Sequence, residues 1–203
     1  MLKLKKVAVT GGLSCGKTTV LHLFQKLGAF GVSADDIVHQ LLASDSKTTQ
    51  KVIEWLGADI VTHGKIGEKI DRKKIAEKVF SDPAKIKQLE SLLHPEVGAA
   101  LKRTYEEICH NPSYALFVAE IPLLFEAGME KDFDVVLTVA CKPELAKGRF
   151  SGTPDDFQQR NQLQMPLDEK IQKSTFVIYN NGSLEELQTQ ISTLFNELKS
   201  YEP

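Results

Sequence analysis

The sequence predicts an α/β fold in which a parallel sheet carries helices on both faces, and three observations support this. Five short β-like runs, at residues 5–10, 29–34, 114–119, 134–140 and 175–179, are separated by amphipathic helical patterns. Strands that alternate with helices pair in parallel. The first run feeds a glycine-rich turn, Gly11-Gly12-Leu13-Ser14-Cys15-Gly16. The chain has 203 residues, 42% apolar and 26% charged, which is material for one good core with a small insertion.

The elements follow in order. After the glycine turn, Val20, Leu23, Phe24 and Leu27 keep helical spacing, and Gly28 is placed to end that helix in a left-handed conformation. The second run leads into the helical stretch Ile37-Val38-His39-Gln40-Leu41-Leu42. From about Trp55 to His110 helical segments follow one another with no strand expected between them. Residues 55–110 therefore read as a helical insertion into a core formed by 1–54 and 111–203. Within it, Asp82-Pro83 reads as a helix start, and Pro95 is expected to kink or break the helix that Leu92-Leu93 would continue. The last helix opens at Ser183-Leu184-Glu185-Glu186, where Ser183 can cap the backbone and Glu186 can reach back.

Residues 65–87 hold eight basic side chains (Lys65, Lys69, Arg72, Lys73, Lys74, Lys78, Lys85, Lys87) against four acidic ones. A locally positive helical flap suits an anionic small substrate. A solvated lysine-rich helix face is the plain alternative.

Composition excludes several classes. With 25 Lys and Arg against 27 Asp and Glu, a net charge of −2, no overall basic field is available to hold nucleic acid by its phosphates. The apolar run after the basic N-terminus is too short for a signal-peptide core. The longest apolar stretch, Ala115 to Phe125, is interrupted by Glu120 and Pro122, far short of the roughly 20 residues that cross a bilayer. Three cysteines (Cys15, Cys109, Cys141) without CxxC spacing suggest neither a disulfide framework nor a zinc cluster. A reducing cytoplasm fits best.

The strongest chemical signal is Gly11-Gly12-Leu13-Ser14-Cys15-Gly16-Lys17-Thr18, followed by Thr19. Two glycines bracket four residues, then Lys and Thr follow, between a strand and a helix. Phosphate oxygens need converging backbone N–H groups, and the helix that follows points its partly positive end at the anion. Lys17 can then reach the β- and γ-phosphates of a nucleotide, and the Thr18 hydroxyl is positioned for Mg²⁺. Cys15 reads as a small spacer rather than a nucleophile.

Nucleotide binding alone does not name a reaction. Ligands collect at the carboxyl ends of parallel strands, so Asp35 or Asp36, after the second run, can reach the γ-phosphate region. Asp35 is the candidate to orient an acceptor hydroxyl and take its proton. Service as a helix N-cap is the competing reading.

Beyond the loop, Val9-Thr10-Gly11-Gly12, Ala34-Asp35, His94-Pro95, Ile121-Pro122-Leu123-Leu124-Phe125-Glu126 and Val177-Ile178-Tyr179-Asn180-Asn181-Gly182 resemble the dephospho-CoA kinase family in order and spacing. The resemblance spans nearly the whole chain. It implies a three-layer P-loop kinase fold with a helical CoA insertion and a lid at about 147–160. It also implies ATP-dependent phosphorylation of the ribose 3′-hydroxyl of dephospho-CoA, the last step of coenzyme A synthesis. By the match, Thr10, Lys17 and Asp35 fall in the catalytic centre and Leu123 falls on the acceptor side; His94 either supports the acceptor pocket or is a structural histidine before Pro95, and Arg72 of the basic stretch is a further candidate for the substrate. Asn180 and Asn181 fall near the adenine. The expected partner is thus a small molecule, and the expected state a monomer or weak homo-oligomer.

Two departures stand out. Family members usually carry Asp where this chain has Ser33, so one carboxylate is missing. After Pro143 the family shows two arginines four residues apart; Arg149 matches the first, but Phe150-Ser151-Gly152-Thr153-Pro154 follows and the second has no counterpart. An arginine closing on a transferred phosphate is worth about 10³- to 10⁵-fold, so its loss slows turnover unless Arg149, Arg160 or Lys147 substitutes. Another small-molecule kinase of the same fold differs only in acceptor. A GTP-dependent switch lacks its Asp-x-x-Gly and Asn-Lys-x-Asp segments here. A motor ATPase lacks an apolar strand ending in an acidic pair.

Overall fold

The computed structural model describes residues 3–43, 47–64, 67–79 and 82–200. Strand β1 (Lys5–Gly11) runs into helix α1 (Lys17–Lys26), and β2 (Phe30–Ser33) runs into α2 (Ala34–Ala43), with α3 (Lys47–Leu56) next. A hairpin of β3 (Val61–Gly64) and β4 (Gly67–Ile70) precedes α4 (Arg72–Val79) and the long α5 (Pro83–Ile108). Then come β5 (Leu116–Glu120), β6 (Val135–Ala140), α6 (Pro143–Arg149), α7 (Pro154–Gln162), α8 (Leu167–Lys173), β7 (Phe176–Tyr179) and α9 (Leu184–Ser200).

The five β-like runs are the five strands of one sheet, in the order β2-β5-β1-β6-β7, and every pairing is parallel. Because side chains alternate across a pleated strand, the sheet has two buried faces. Val7, Val9, Leu116, Val118, Val135, Leu137 and Val139 pack with Val20 and Phe24 of α1 and Leu187, Ile191 and Leu198 of α9. Across the sheet, Phe117 meets Tyr105 near the end of α5 edge-on, and Thr138 meets Ser174 and the backbone of Lys170 behind α8. Helix, sheet and helix make three layers, as the sequence predicts.

The punctuation of this core also follows from sequence. Gly28 adopts φ +99° directly after α1, and the Ser183 hydroxyl accepts the Glu186 N–H at the start of α9.

The chain divides into two compact units, Met1–Ala34 with Thr104–Pro203 and Asp35–Arg103. The second has its own core of Leu42, Val52, Ile60, Ile75, Val79, Ile86 and Leu93. It opens at Asp35, earlier than the 55–110 insertion expected from sequence, because α2 and α3 turn Leu42 and Val52 into that core.

Two expectations for the insertion are corrected. A strand pair does occur in it: β3 and β4 form an antiparallel ribbon pairing Val61 with Ile70 and Thr62 with Lys69. Its arms are four residues long with one apolar residue each, Val61 and Ile70, and both pack on the second core. No alternation was therefore available to read. The basic stretch is accordingly part hairpin, part helix, and Lys65 lies outside the described residues. Pro95, in turn, does not break its helix; α5 runs through it from Pro83 to Ile108. Pro95 removes one i to i−4 bond, but the apolar face formed by Ile86, Leu93, Val97 and Leu101 is buried on either side of it. The helix starts where expected, with the Asp82 carboxylate accepting the Ala84 N–H.

Candidate active site

The phosphate loop is built as the glycine pattern requires. At Gly11 (φ +143°) a Cβ would lie 2.0 Å from the Val139 carbonyl oxygen, so the loop can leave β1 only without a side chain. At Gly16 (φ +95°) a Cβ would lie 2.4 Å from Asn180 Nδ2. That amide donates to the Cys15 carbonyl at 2.9 Å, tying the loop to the residue that follows β7. Ser14 shares the left-handed backbone at φ +56°. The Gly12 N–H donates to the Val139 carbonyl at 3.2 Å, and the Cys15 N–H to the Gly12 carbonyl at 3.3 Å.

Electrostatics favour an anion here. Helix α1 has no acidic residue in its first turn, so its positive end is not neutralised by its own side chains. The Lys17 ammonium folds back onto the Gly12 carbonyl at 2.8 Å. Leu13 and Ser14 are half-buried, while Thr18 and Thr19 are exposed at the start of α1.

Sequence reasoning passed over Glu120. This carboxylate ends β5 beside β1, is only 4% exposed, and accepts the Thr18 hydroxyl at 2.9 Å. The available signal was a single acid closing the apolar run Leu116-Phe117-Val118-Ala119, in the strand that pairs with β1. Two hard oxygen donors side by side fit Mg²⁺, which takes one or two protein groups and completes its shell with substrate phosphates and water. Among the described residues no cluster of three or more His, Cys, Asp or Glu offers a fuller cage.

Cys15 is 1% exposed, with its sulfur 3.1 Å from that of Cys141. Burial, then the neighbouring Cys141 thiol, push its pKa up to about 12 against the weaker pull of Lys17. It is a packed spacer and not a nucleophile.

Thr10, wholly buried at the end of β1, donates its hydroxyl to the Pro122 carbonyl at 3.2 Å. Half-buried Leu123 follows in the same segment. Arg149, at the end of α6, donates to the Asn180 carbonyl at 3.0 Å. Exposed Asn181 accepts the Lys142 N–H at 2.8 Å. The first unit thus brings together the loop, Thr10, Glu120, Arg149, Asn180 and Asn181.

Asp35, Arg72 and His94 belong to the second unit. Asp35 is exposed in the first turn of α2; the helix already begins at Ala34, so Asp35 is not its N-cap. Exposed Arg72 contacts His39 Nδ1 through Nη1, and His94 is half-buried within α5.

The sequence profile described as dephospho-CoA kinase matches residues 5–186. The chain belongs to the dephospho-CoA kinase family. It is 40% identical over 206 residues to the dephospho-CoA kinase of Protochlamydia amoebophila, covering 99% of this chain and 100% of the relative. Its fold is similar to that of a protein of Thermus thermophilus, with a TM-score of 0.77 and 30% identity over 97% of this chain and 98% of the other. It is also similar to the dephospho-CoA kinase of Campylobacter jejuni, with a TM-score of 0.69 and 27% identity over 96% of each chain. Membership makes the chain an ATP-dependent phosphotransferase that phosphorylates an alcohol group of dephospho-CoA, on a P-loop kinase fold. No helix among the described residues is long and apolar enough to cross a membrane.

Proposed function

We propose that this dephospho-CoA kinase moves the γ-phosphoryl group of ATP to the ribose 3′-oxygen through the residues already named. The observation that carries the proposal is the loop itself, with Lys17 folded over it and Thr18 held against buried Glu120. Residues 11–19 hold the triphosphate by backbone N–H groups, and Lys17 swings from the Gly12 carbonyl onto the β- and γ-oxygens. Thr18 and Glu120 hold Mg²⁺, whose charge, when bound, offsets that of the phosphate oxygens. Asp35 orients the 3′-hydroxyl and takes its proton as the new P–O bond forms and ADP leaves. Arg72, His94 and Leu123 contact the acceptor, and Asn180 and Asn181 the adenine edge.

Residues 147–160 act as the lid. Arg149 uses one N–H on the Asn180 carbonyl, and a guanidinium has five, so it keeps donors for the transferred phosphate. A cytoplasmic enzyme, monomeric or weakly self-associating, fits three free cysteines.

The test is ADP release with Mg-ATP and dephospho-CoA, AMP, shikimate, adenosine or no acceptor. Turnover with dephospho-CoA alone is expected. Equal turnover with another acceptor overturns the substrate assignment, and ADP release without any acceptor overturns the transfer role.

A further inference from the structure

Lys170, on α8, is 1% exposed yet charged, and no step described so far uses it. Its ammonium lies 2.9 Å from Glu126 Oε1 and donates to the Pro122 carbonyl at 2.9 Å. Glu126 Oε1 also accepts the Met165 N–H at 2.7 Å. The Pro122 carbonyl is the one that accepts from Thr10 at the end of β1. On the same helix, Leu167 reaches within 3.4 Å of where a Gly12 Cβ would stand. One ion pair, its lysine buried and its glutamate half-buried, therefore joins three things: the chain just after α7, the segment that carries Leu123, and the strand end that leads into the phosphate loop.

Stability alone explains this pair poorly. Removing two charges from water offsets most of their attraction, so an apolar pair of similar volume commonly serves a fold as well. Glu126 Oε2, moreover, is buried with no hydrogen-bond partner among the described residues, whereas buried polar atoms kept for structure are nearly always paired. A lid needs one end held at a fixed place so that closing returns the same geometry each time.

We propose that Lys170 and Glu126 are positioning residues that anchor the trailing end of the lid to the acceptor segment and, through Pro122 and Thr10, to the phosphate loop. The proposal rests on the reading of residues 147–160 as a lid. Neither side chain touches the reacting atoms; the pair acts by fixing where the lid returns and where Leu123 stands.

The test pairs Lys170→Met with Glu126→Gln, which removes both charges and leaves no lone buried ion. The double variant is expected to keep its thermal midpoint within about 5 °C of wild type. Its kcat is expected to fall about 10²-fold, the scale of a 1 Å misplacement, with the KM for ATP within about threefold. Should that variant not fold, Glu126→Asp serves, which keeps both charges but shortens the carboxylate's reach, with kcat down about tenfold and the KM for ATP unchanged. A second readout does not depend on turnover: hydrogen exchange over residues 150–163 with a non-hydrolysable ATP analogue. Wild type gains protection there and the folded variant does not. A folded variant with wild-type kcat, or with wild-type protection, overturns the anchor. Wild type that gains no protection there instead overturns the reading of residues 147–160 as a lid, and the anchor with it, so the two failures are told apart.

Discussion

The phosphate loop and the segment 150–163 belong to the same unit and are both assigned to the nucleotide, yet they are built in opposite ways. The loop is held by backbone bonds to β6 and by the Asn180 amide, and its Cys15 and Lys17 side chains are buried. Helix α7 has no buried residue. Apart from half-buried Phe157, which packs on the core, what orders it is local: the Thr153 hydroxyl accepts the Asp156 N–H, and the Asp156 carboxylate accepts from the Thr153 hydroxyl and N–H in return. That second exchange holds the Asp156 carboxyl below its ordinary pKa. Phe150 and Phe157 meet edge to face at 5.4 Å, and the Arg160 guanidinium sits 5.8 Å from the Phe150 ring centre. A loop that binds before chemistry must be preorganised, while a lid must come and go. On the proposed mechanism, the contrast separates groups that hold the phosphates throughout from groups that arrive for transfer.

The largest expected effect breaks or keeps that separation. Arg149→Ala is expected to lower kcat by about 10³-fold and to leave the KM for ATP within a few-fold. A comparable rise in that KM would move Arg149 from the transferred phosphate to the nucleotide's edge, beside Asn180. Lys17→Met removes the charge from the static side, and a loss of about 10²- to 10³-fold in kcat is expected, measured on protein whose circular dichroism matches wild type. Glu120→Gln tests the residue that the sequence did not announce. It should cost about 10²-fold in kcat, partly recovered by raising Mg²⁺; an unchanged Mg²⁺ dependence would leave Glu120 as a plain partner for Thr18.

Smaller effects probe the loop's rigidity. Gly16→Ala forces a side chain into left-handed backbone and against Asn180 Nδ2, and about 1–3 kcal/mol of stability should be lost, read by urea unfolding alongside weakened ATP binding. Cys15 gives the smallest. Its folded pKa of about 12 stands above the ordinary 9.0, so over that interval the folded state holds a proton that the unfolded state has released. The contribution to stability is complete below pH 9 and drains away as pH rises. The thermal midpoint should fall between pH 9 and 10.5 less steeply in Cys15→Ala than in wild type, and native Cys15 should resist alkylation at pH 8.

Much of this was legible in the sequence for a physical reason. All five sheet strands are apolar runs closed by turn residues, and the loop needs glycine where the backbone turns left-handed at Gly16 or meets Val139 at Gly11. Those constraints are local, and local constraints leave marks. The β3–β4 hairpin left none, since four-residue arms bury too little to impose alternation. The continuity of α5 through Pro95 was hidden because one lost hydrogen bond is outweighed by tertiary burial. Glu120 and Glu126 carried no legible role for a third reason: each is a single acid whose meaning comes from partners far along the chain, Thr18 for one and Lys170 for the other.

The measurement that bears most directly on the whole account is the fate of labelled γ-phosphate when this enzyme meets Mg-ATP and dephospho-CoA, with a 3′-deoxy analogue alongside. Label is predicted to appear in a product one phosphoryl group heavier, on the ribose 3′-oxygen, and nowhere with the analogue. Label on inorganic phosphate alone, or on the analogue as readily as on dephospho-CoA, would contradict it.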